Sequence, residues 1–154
     1  MNLDECFKRR LLRKDKPDPQ RARRSIEVAE AKFEQAQKAH AHELHDASLV
    51  LAYTAMFHGA RALLFADGII EKSHVCLVEY LRSEYSRKGV ISEGLVNSLD
   101  RMRIDRHEAV YGLEVSVRST QAANDLKESE QFIQAAKHLL IAKGKRTSQT
   151  IPPP

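Results

Sequence analysis

The sequence lacks tryptophan and has only two cysteines, Cys6 and Cys76, among its 154 residues. Two cysteines are too few for a disulfide framework, so we expect both to be reduced thiols in a cytoplasmic protein. The N-terminus is charged from its fourth residue and lacks the apolar segment of a signal peptide. The longest apolar stretch, residues 47–66, is interrupted by His58 and Arg61. It therefore falls short of the roughly 20 apolar residues that span a bilayer, and we expect no membrane contact.

The remaining composition favours one helical domain. A chain of this length supports a single hydrophobic core, and it is rich in alanine, leucine and charged helix formers. Short connections between amphipathic segments favour antiparallel neighbours. We therefore predict an all-α fold, an up-and-down antiparallel bundle of five to six helices over residues 1–142. The polar, proline-ended segment 143–154 is predicted to be a disordered tail.

Capping residues and apolar spacing set the predicted helix limits. Asp18 before Pro19 favours a helix start, because the carboxylate accepts from the first turn and proline has a helical φ. Gly68 is typical of a helix end. The predicted helices cover 3–13, 19–40, 46–67, 73–89, a fifth from 92, and a sixth from 119 or 120 that ends at Gly144. The third is apolar on nearly all sides, which indicates a central helix. Residues 113–117 alternate briefly and are interpreted as a loop.

Positive charge is concentrated at the N-terminus. Residues 1–24 contain nine Lys or Arg and four Asp or Glu, an excess of about five, whereas the whole chain has a net charge of +4. Such an excess is compatible with nucleic-acid binding or with a solvated basic surface.

One arginine falls on the apolar stripe of the predicted fifth helix. Leu95, Leu99 and Met102 recur at spacings of four and three, and the next position is Arg106. A guanidinium there needs a partner, because burying it unpaired is very costly. Either its stem packs while its head reaches water or a carboxylate, or it is a cation held in a groove for a phosphate.

Three segments together resemble the small HEPN-domain proteins (higher eukaryotes and prokaryotes nucleotide-binding). The first is the helix Ala52-Tyr53-Thr54-Ala55-Met56-Phe57-His58-Gly59-Ala60-Arg61-Ala62-Leu63-Leu64. The others are Lys72-Ser73-His74 and Arg106-His107-Glu108-Ala109-Val110-Tyr111-Gly112. The resemblance covers roughly residues 3–142, and the combination is more specific than any one piece.

The resemblance implies a homodimer without a cofactor, which is either a metal-independent endoribonuclease or an RNA-binding component of a toxin–antitoxin or defence pair. Such proteins are often toxins paired with a small MNT-type nucleotidyltransferase antitoxin. Their motif is an arginine, a polar residue and then a histidine, with four to six positions between the arginine and the histidine. By resemblance, Arg106 binds RNA phosphate and His107 fills the polar position. The histidine position holds Tyr111, and the longer spacings reach Gly112 and Leu113.

This departure from the motif leaves the proton-transfer group open. Tyrosine has a reference pKa of about 10 and is a poor base, although Tyr111 could donate a hydrogen bond to phosphate. His107 could take over proton transfer. A literal match also exists with Arg101 and His107, but Met102 then fills the polar position and Arg101 faces away from the apolar stripe. The alternative function is a non-catalytic HEPN module that binds a nucleotidyltransferase partner or a nucleotide.

Other histidines and Arg61 have structural alternatives. His58 in the central helix is either a hydrogen-bonded core residue or a residue that orients Arg106. Arg61 is a second candidate for this supporting role, although pairing with an acid between helices is the preferred interpretation. His40, His42 and His45 do not form the zinc-protease pattern, so no metal site is predicted. Cys76 has no histidine and acid at a spacing that supports nucleophilic catalysis.

Overall fold

The computed structural model describes residues 1–113 and 117–149. It contains six α-helices in this range: α1 (Leu3–Lys8), α2 (Pro19–Ala41), α3 (His45–Asp67), α4 (His74–Leu81), α5 (Glu93–Tyr111) and α6 (Ser119–Gln149). A π-helical turn, Arg82–Ser86, continues α4, and strands β1 (Leu12–Lys14) and β2 (Ile69–Glu71) form a small sheet. The predicted all-α helical bundle is confirmed.

The caps that the sequence indicates define the two long central helices. Asp18 accepts a hydrogen bond from the Arg21 N–H at 3.0 Å and Pro19 opens α2. Helix α3 ends at Gly68, which has a left-handed φ of 72°. A Cβ at Gly68 would lie 2.5 Å from the Asp15 carbonyl oxygen, so glycine is required on both conformational and steric grounds.

Helix α3 is the centre of the bundle and packs against α2, α5 and α6. Its length and apolar composition would suit a membrane span, but 61% of its most apolar window is buried inside the bundle. Its buried side chains include Leu49, Met56, Leu63 and Leu64. Apolar residues on nearly all sides are thus explained by neighbouring helices.

The N-terminal segment differs from the predicted helix over 3–13. Helix α1 ends at Lys8, and Arg10 has a positive φ of 57°, which turns the chain into β1. Strand β1 pairs antiparallel with β2, with Leu12 opposite Glu71 and Lys14 opposite Ile69. A three-residue strand is too short for its alternation of apolar and polar residues to be distinguished from the end of a helical pattern.

The prediction of two reduced thiols is wrong in this structure. Cys6 of α1 and Cys76 of α4 form a disulfide, with their Cα atoms 5.7 Å apart. Both cysteines are fully buried. The bond joins two segments that are 70 residues apart in sequence, a proximity that only the folded chain creates.

The C-terminal helix is longer than predicted. Helix α6 continues through Gly144 to Gln149, so residues 143–149 of the predicted disordered tail are helical. A Cβ at Gly144 would meet no atom within 4 Å, so this glycine lies at an uncrowded helical position and is not a stop. Residues 150–154, and residues 114–116 of the predicted loop, lie outside the described residues.

Candidate functional site

Arg106 lies where the buried stripe of α5 reaches the protein surface. Val96, Leu99 and Met102 are fully buried, whereas Arg106 is half-buried. The Arg106 Cζ lies 5.7 Å from the centroid of the Tyr53 ring, close enough for a cation–π contact. Within residues 1–113 and 117–149, no carboxylate lies within ion-pair distance of Arg106.

His74, the first residue of α4, is the second member of this site. Ser73 caps the helix by accepting from the Cys76 N–H, which places His74 in the first turn. The His74 Nδ1 is 2.7 Å from the Tyr53 hydroxyl. The Phe57 ring stacks on the imidazole, with centroids 4.2 Å apart and planes 29° apart. We call Tyr53, Phe57, His74 and Arg106 the His74–Arg106 cluster.

Burial and nearby positive charge keep two groups of the cluster, His74 and Tyr53, neutral. Burial, then the positive charges of Arg106, Arg103 and Arg61, lower the pKa of His74. Burial raises the pKa of Tyr53 to about 12, although Arg106 opposes the shift. At neutral pH the histidine is therefore an uncharged imidazole and the tyrosine a protonated phenol.

His107 and Tyr111 form a separate pair on the exposed side of α5. The helix continues to Tyr111, whose side chain is 67% exposed. The His107 and Tyr111 ring centroids are 5.0 Å apart. On a continuous helix Tyr111 lies about 140° around the axis from Arg106. Tyr111, which occupies the histidine position of the motif, therefore lies against His107 and not beside Arg106.

Arg101, the arginine of the literal motif match, is occupied by acidic partners. Its guanidinium lies 2.8 Å from Asp105, 2.9 Å from Asp125 and 2.7 Å from Glu128. Asp125 is fully buried. Arg101 therefore stabilises the α5–α6 contact, and Arg106 is the α5 arginine that is open to an external anion.

Arg61 and His58 lie near the cluster but do not contact Arg106. The Arg61 Nε is 2.8 Å from Glu71 Oε1 of β2, an ion pair without a well-aligned N–H···O hydrogen bond. Burial, followed by Arg61 and Lys32, lowers the pKa of His58. The His58 ring meets the edge of Phe57 at 5.8 Å. The Phe57 ring therefore lies between His58 and the other residues of the cluster.

The histidines at the α2–α3 junction are only partly brought together. His40 and His45 have ring centroids 5.2 Å apart. Within the described residues there is no group of three His, Cys, Asp or Glu side chains that could hold a metal ion.

A concave basic surface adjoins the start of α4. It encloses about 340 Å³ and is lined by Phe7, Arg10, Leu12, Arg13, Lys14 and Lys72. The Lys14 Nζ lies 5.9 Å from the Phe7 ring centroid. None of its four cationic side chains has an ion-pair partner within the described part of the chain. We call these residues the N-terminal basic surface; Lys72 is two residues before His74.

Sequence patterns did not reveal His74, Tyr53 or Phe57 as site residues. Tyr53, Phe57 and Arg61 recur every four residues on α3, and this spacing is equally typical of core packing. His74 was part of a family landmark without an assigned role. Only the packing of α3, α4 and α5 brings these side chains together.

Comparison with known proteins identifies the family. The family model of the HEPN domain matches residues 22–144. A protein of Archaeoglobus fulgidus named UPF0332 protein is 33% identical over 113 residues, which cover 73% of this chain and 90% of that relative. The chain belongs to the HEPN-domain family.

Proposed function

We propose that this protein binds RNA and cleaves it without a metal ion, with Arg106 as the ligand of the reacting phosphate. The observation that carries the proposal is the half-buried Arg106 guanidinium, which has an aromatic contact but no carboxylate partner within the described residues. A charge in such a position is stabilised by an external anion. Family membership supports a link to ribonuclease or nucleotide-binding roles.

The chemistry of metal-independent RNA cleavage suits this arrangement. The ribose 2′-oxygen attacks the adjacent phosphorus and the bond to the 5′-oxygen breaks, so negative charge accumulates on the phosphate oxygens. A fixed guanidinium can pair with two of these oxygens and stabilise that charge. Arg103 adds positive potential near His74, although the Arg103 Nε is 3.0 Å from an Asp100 carboxylate oxygen.

The N-terminal basic surface favours an extended polyanion over a small anion. Its four cations, which have no ion-pair partner within the described residues, line the same concavity as the half-buried Phe7 ring. Cations that contact the phosphate backbone, combined with aromatic rings, are typical of surfaces that hold single-stranded nucleic acid. Because Lys72 and His74 are separated by one residue, their Cα atoms are within about 7 Å. A strand on this surface would therefore lead toward Arg106.

The assembly and cellular setting implied by the family resemblance stay predictions. These are a homodimer with a shared cleft, an MNT-type nucleotidyltransferase antitoxin as partner, and a cytoplasmic location. The second candidate function, a non-catalytic module, is favoured by the position of Tyr111, whose ring is exposed and directed to His107. It predicts partner or nucleotide binding without RNA cleavage.

Arg106→Ala tests the proposed phosphate ligand. We expect RNA cleavage to fall by about 10²- to 10³-fold, the usual effect of removing one donor to a developing oxyanion. Arg106→Lys keeps the charge but loses the two-point contact and should give an intermediate loss. Cleavage of a mixed pool of labelled RNA is measured on gels at several protein concentrations, since the family resemblance predicts a homodimer.

The matched control is Arg87→Ala, which removes the same charge from a side chain that is 71% exposed. It should cleave like the natural protein. Absence of cleavage by the natural protein would favour the non-catalytic module. Cleavage by Arg106→Ala at the natural rate would remove Arg106 from the site.

RNA affinity should depend steeply on salt through the N-terminal basic surface. Replacing Arg13, Lys14 and Lys72 with glutamine should reduce the slope of log affinity against log salt by about 2, since each single-strand phosphate contact contributes about 0.7. The matched triple variant changes Lys38, Arg87 and Lys127, which are exposed elsewhere. Fluorescence anisotropy at several salt concentrations measures both slopes. Equal slopes in the two variants would contradict an RNA contact at this surface.

A further inference from the structure

The Tyr53–His74 pair places a histidine in the cluster, the residue type that the last position of the fifth-helix motif lacks. We propose that His74 takes the proton of the RNA 2′-hydroxyl while Arg106 holds the phosphate, and that Tyr53 positions the imidazole. This inference depends on the proposed RNA cleavage. Neither the family motif nor helical periodicity assigns this task to His74.

The His74 imidazole is contacted at Nδ1 and on one ring face, which leaves Nε2 available. The Tyr53 hydroxyl is 2.7 Å from Nδ1, and the Phe57 ring covers a face at 4.2 Å. Within the described residues, Nε2 has no hydrogen-bond partner and is not among the buried unpaired atoms. Since His74 as a whole is half-buried, Nε2 reaches solvent from a fixed ring.

The surroundings set the protonation state that a base needs. His74 is faced from α3 by Tyr53, Phe57 and Arg61 and from α5 by Arg103 and Arg106. Burial and then the three arginines lower the pKa of His74, so the imidazole is uncharged at neutral pH.

Tyr53 can adapt to proton transfer without being ionised. Its pKa is raised to about 12, mainly by burial, so its hydroxyl stays protonated. A hydroxyl can donate to Nδ1 or accept from it. The contact therefore accommodates the tautomer with a free Nε2 lone pair, in which Nδ1–H donates to the hydroxyl.

Arg106 connects this pair to the reacting phosphate. Its Cζ lies 5.7 Å from the Tyr53 ring, the same ring whose hydroxyl meets His74. Arg106 is also the charge with the largest effect in lowering the pKa of His74, so a phosphate on its guanidinium would lie in the electrostatic surroundings of the imidazole. His107 and Tyr111 contact each other on the exposed side of the same helix.

The proposed step is balanced by the chain and solvent. His74 Nε2 takes the proton from the 2′-hydroxyl, and the 2′-oxygen forms a bond to phosphorus. The bond from phosphorus to the 5′-oxygen breaks, and that oxygen takes a proton from water. The imidazolium then returns its proton to solvent. The products are a 2′,3′-cyclic phosphate and a 5′-hydroxyl.

His74→Asn tests this assignment in the full-length protein. We expect cleavage to fall by about 10²- to 10⁴-fold, the usual effect of losing a general base. RNA affinity, measured by anisotropy with a non-cleavable 2′-deoxy strand, should change by less than about threefold, since Arg106 remains. Circular dichroism checks that the variant is folded. The control is His138→Asn, an exposed α6 histidine, which should cleave at the natural rate.

The pH profile separates proton transfer from a structural role. The natural rate should fall on the acid side, below the usual histidine pKa, because the surroundings lower the pKa of His74. Tyr53→Phe keeps the aromatic ring but removes the hydroxyl that contacts Nδ1. It should therefore slow cleavage by about tenfold and shift the pH at which the rate falls on the acid side. If the rate of Tyr53→Phe falls at the same pH as that of the natural protein, the positioning role of Tyr53 is overturned.

His107→Asn and Tyr111→Phe provide the competing comparison. Loss of cleavage in either variant, with cleavage retained in His74→Asn, would overturn the His74 assignment and leave RNA cleavage intact. If Arg106→Ala loses cleavage and His74→Asn does not, the proposed function stands and this inference fails. If the natural protein cleaves no RNA, both fail.

Discussion

Arg101→Ala is expected to lower the free energy of unfolding by about 3–5 kcal/mol, because it leaves a buried carboxylate without its cation. Asp125 is fully buried, and its Oδ1 lies 2.9 Å from the Arg101 guanidinium. Its Oδ2 is buried without a hydrogen-bond partner in the described residues. Burial raises the pKa of Asp125 despite the opposing effect of Arg101, which indicates a substantial desolvation cost. Removing the arginine leaves that cost without compensation.

Urea unfolding followed by circular dichroism measures this effect. Arg101→Ala combined with Asp125→Leu should recover most of the loss, since a similar apolar residue avoids the unpaired buried charge. Arg87→Ala, which breaks only a 4.0 Å contact made by a side chain that is 71% exposed, should change stability by less than about 1 kcal/mol. A loss below about 1 kcal/mol in Arg101→Ala would contradict a structural role. Any activity assay of Arg101 variants must therefore be made where they are folded.

The helices were predictable where local chemistry determines their limits. Asp18 and Pro19 start α2, and the left-handed Gly68 ends α3, because these caps depend on residues within one turn. The pairing of β1 with β2 was not predictable, since it joins residues about 57 apart and neither strand has enough residues for a periodic pattern. The prediction that the sixth helix ends at Gly144 was wrong, because a glycine in an uncrowded helical position lowers the helix propensity without ending the helix.

The candidate site was predictable only on one helix. The spacing of Leu99, Met102 and Arg106 placed a cation beside the buried stripe of α5. His74 and Tyr53 became part of the same site because α4 and α3 pack there, 32 and 53 residues before Arg106 in sequence. Such long-range proximity leaves no periodic signal. The fixed motif spacing instead directed attention to Tyr111, which lies on another face of the helix.

Reduction of the Cys6–Cys76 disulfide is expected to lower the free energy of unfolding by about 4 kcal/mol. The bond closes a loop between residues separated by 70 positions, and the chain-entropy estimate for such a loop is of this size. It anchors α1, whose Phe7 lines the N-terminal basic surface, to α4, which begins at His74. Disulfides persist in oxidising compartments, so this bond is at odds with the predicted cytoplasmic location.

Thermal unfolding with and without a thiol reductant measures the contribution of the bond. For a chain of this size, 1 kcal/mol corresponds to about 2–4 °C, so reduction should lower the Tm by roughly 8–16 °C. The double variant Cys6→Ser/Cys76→Ser is the control, since its Tm should not respond to the reductant. Thiol labelling under denaturing conditions reports whether the bond is present before reduction. Two labelled thiols in the untreated protein, with no reductant-dependent change in Tm, would show that the cysteines are reduced and that α1 is held to α4 by packing alone.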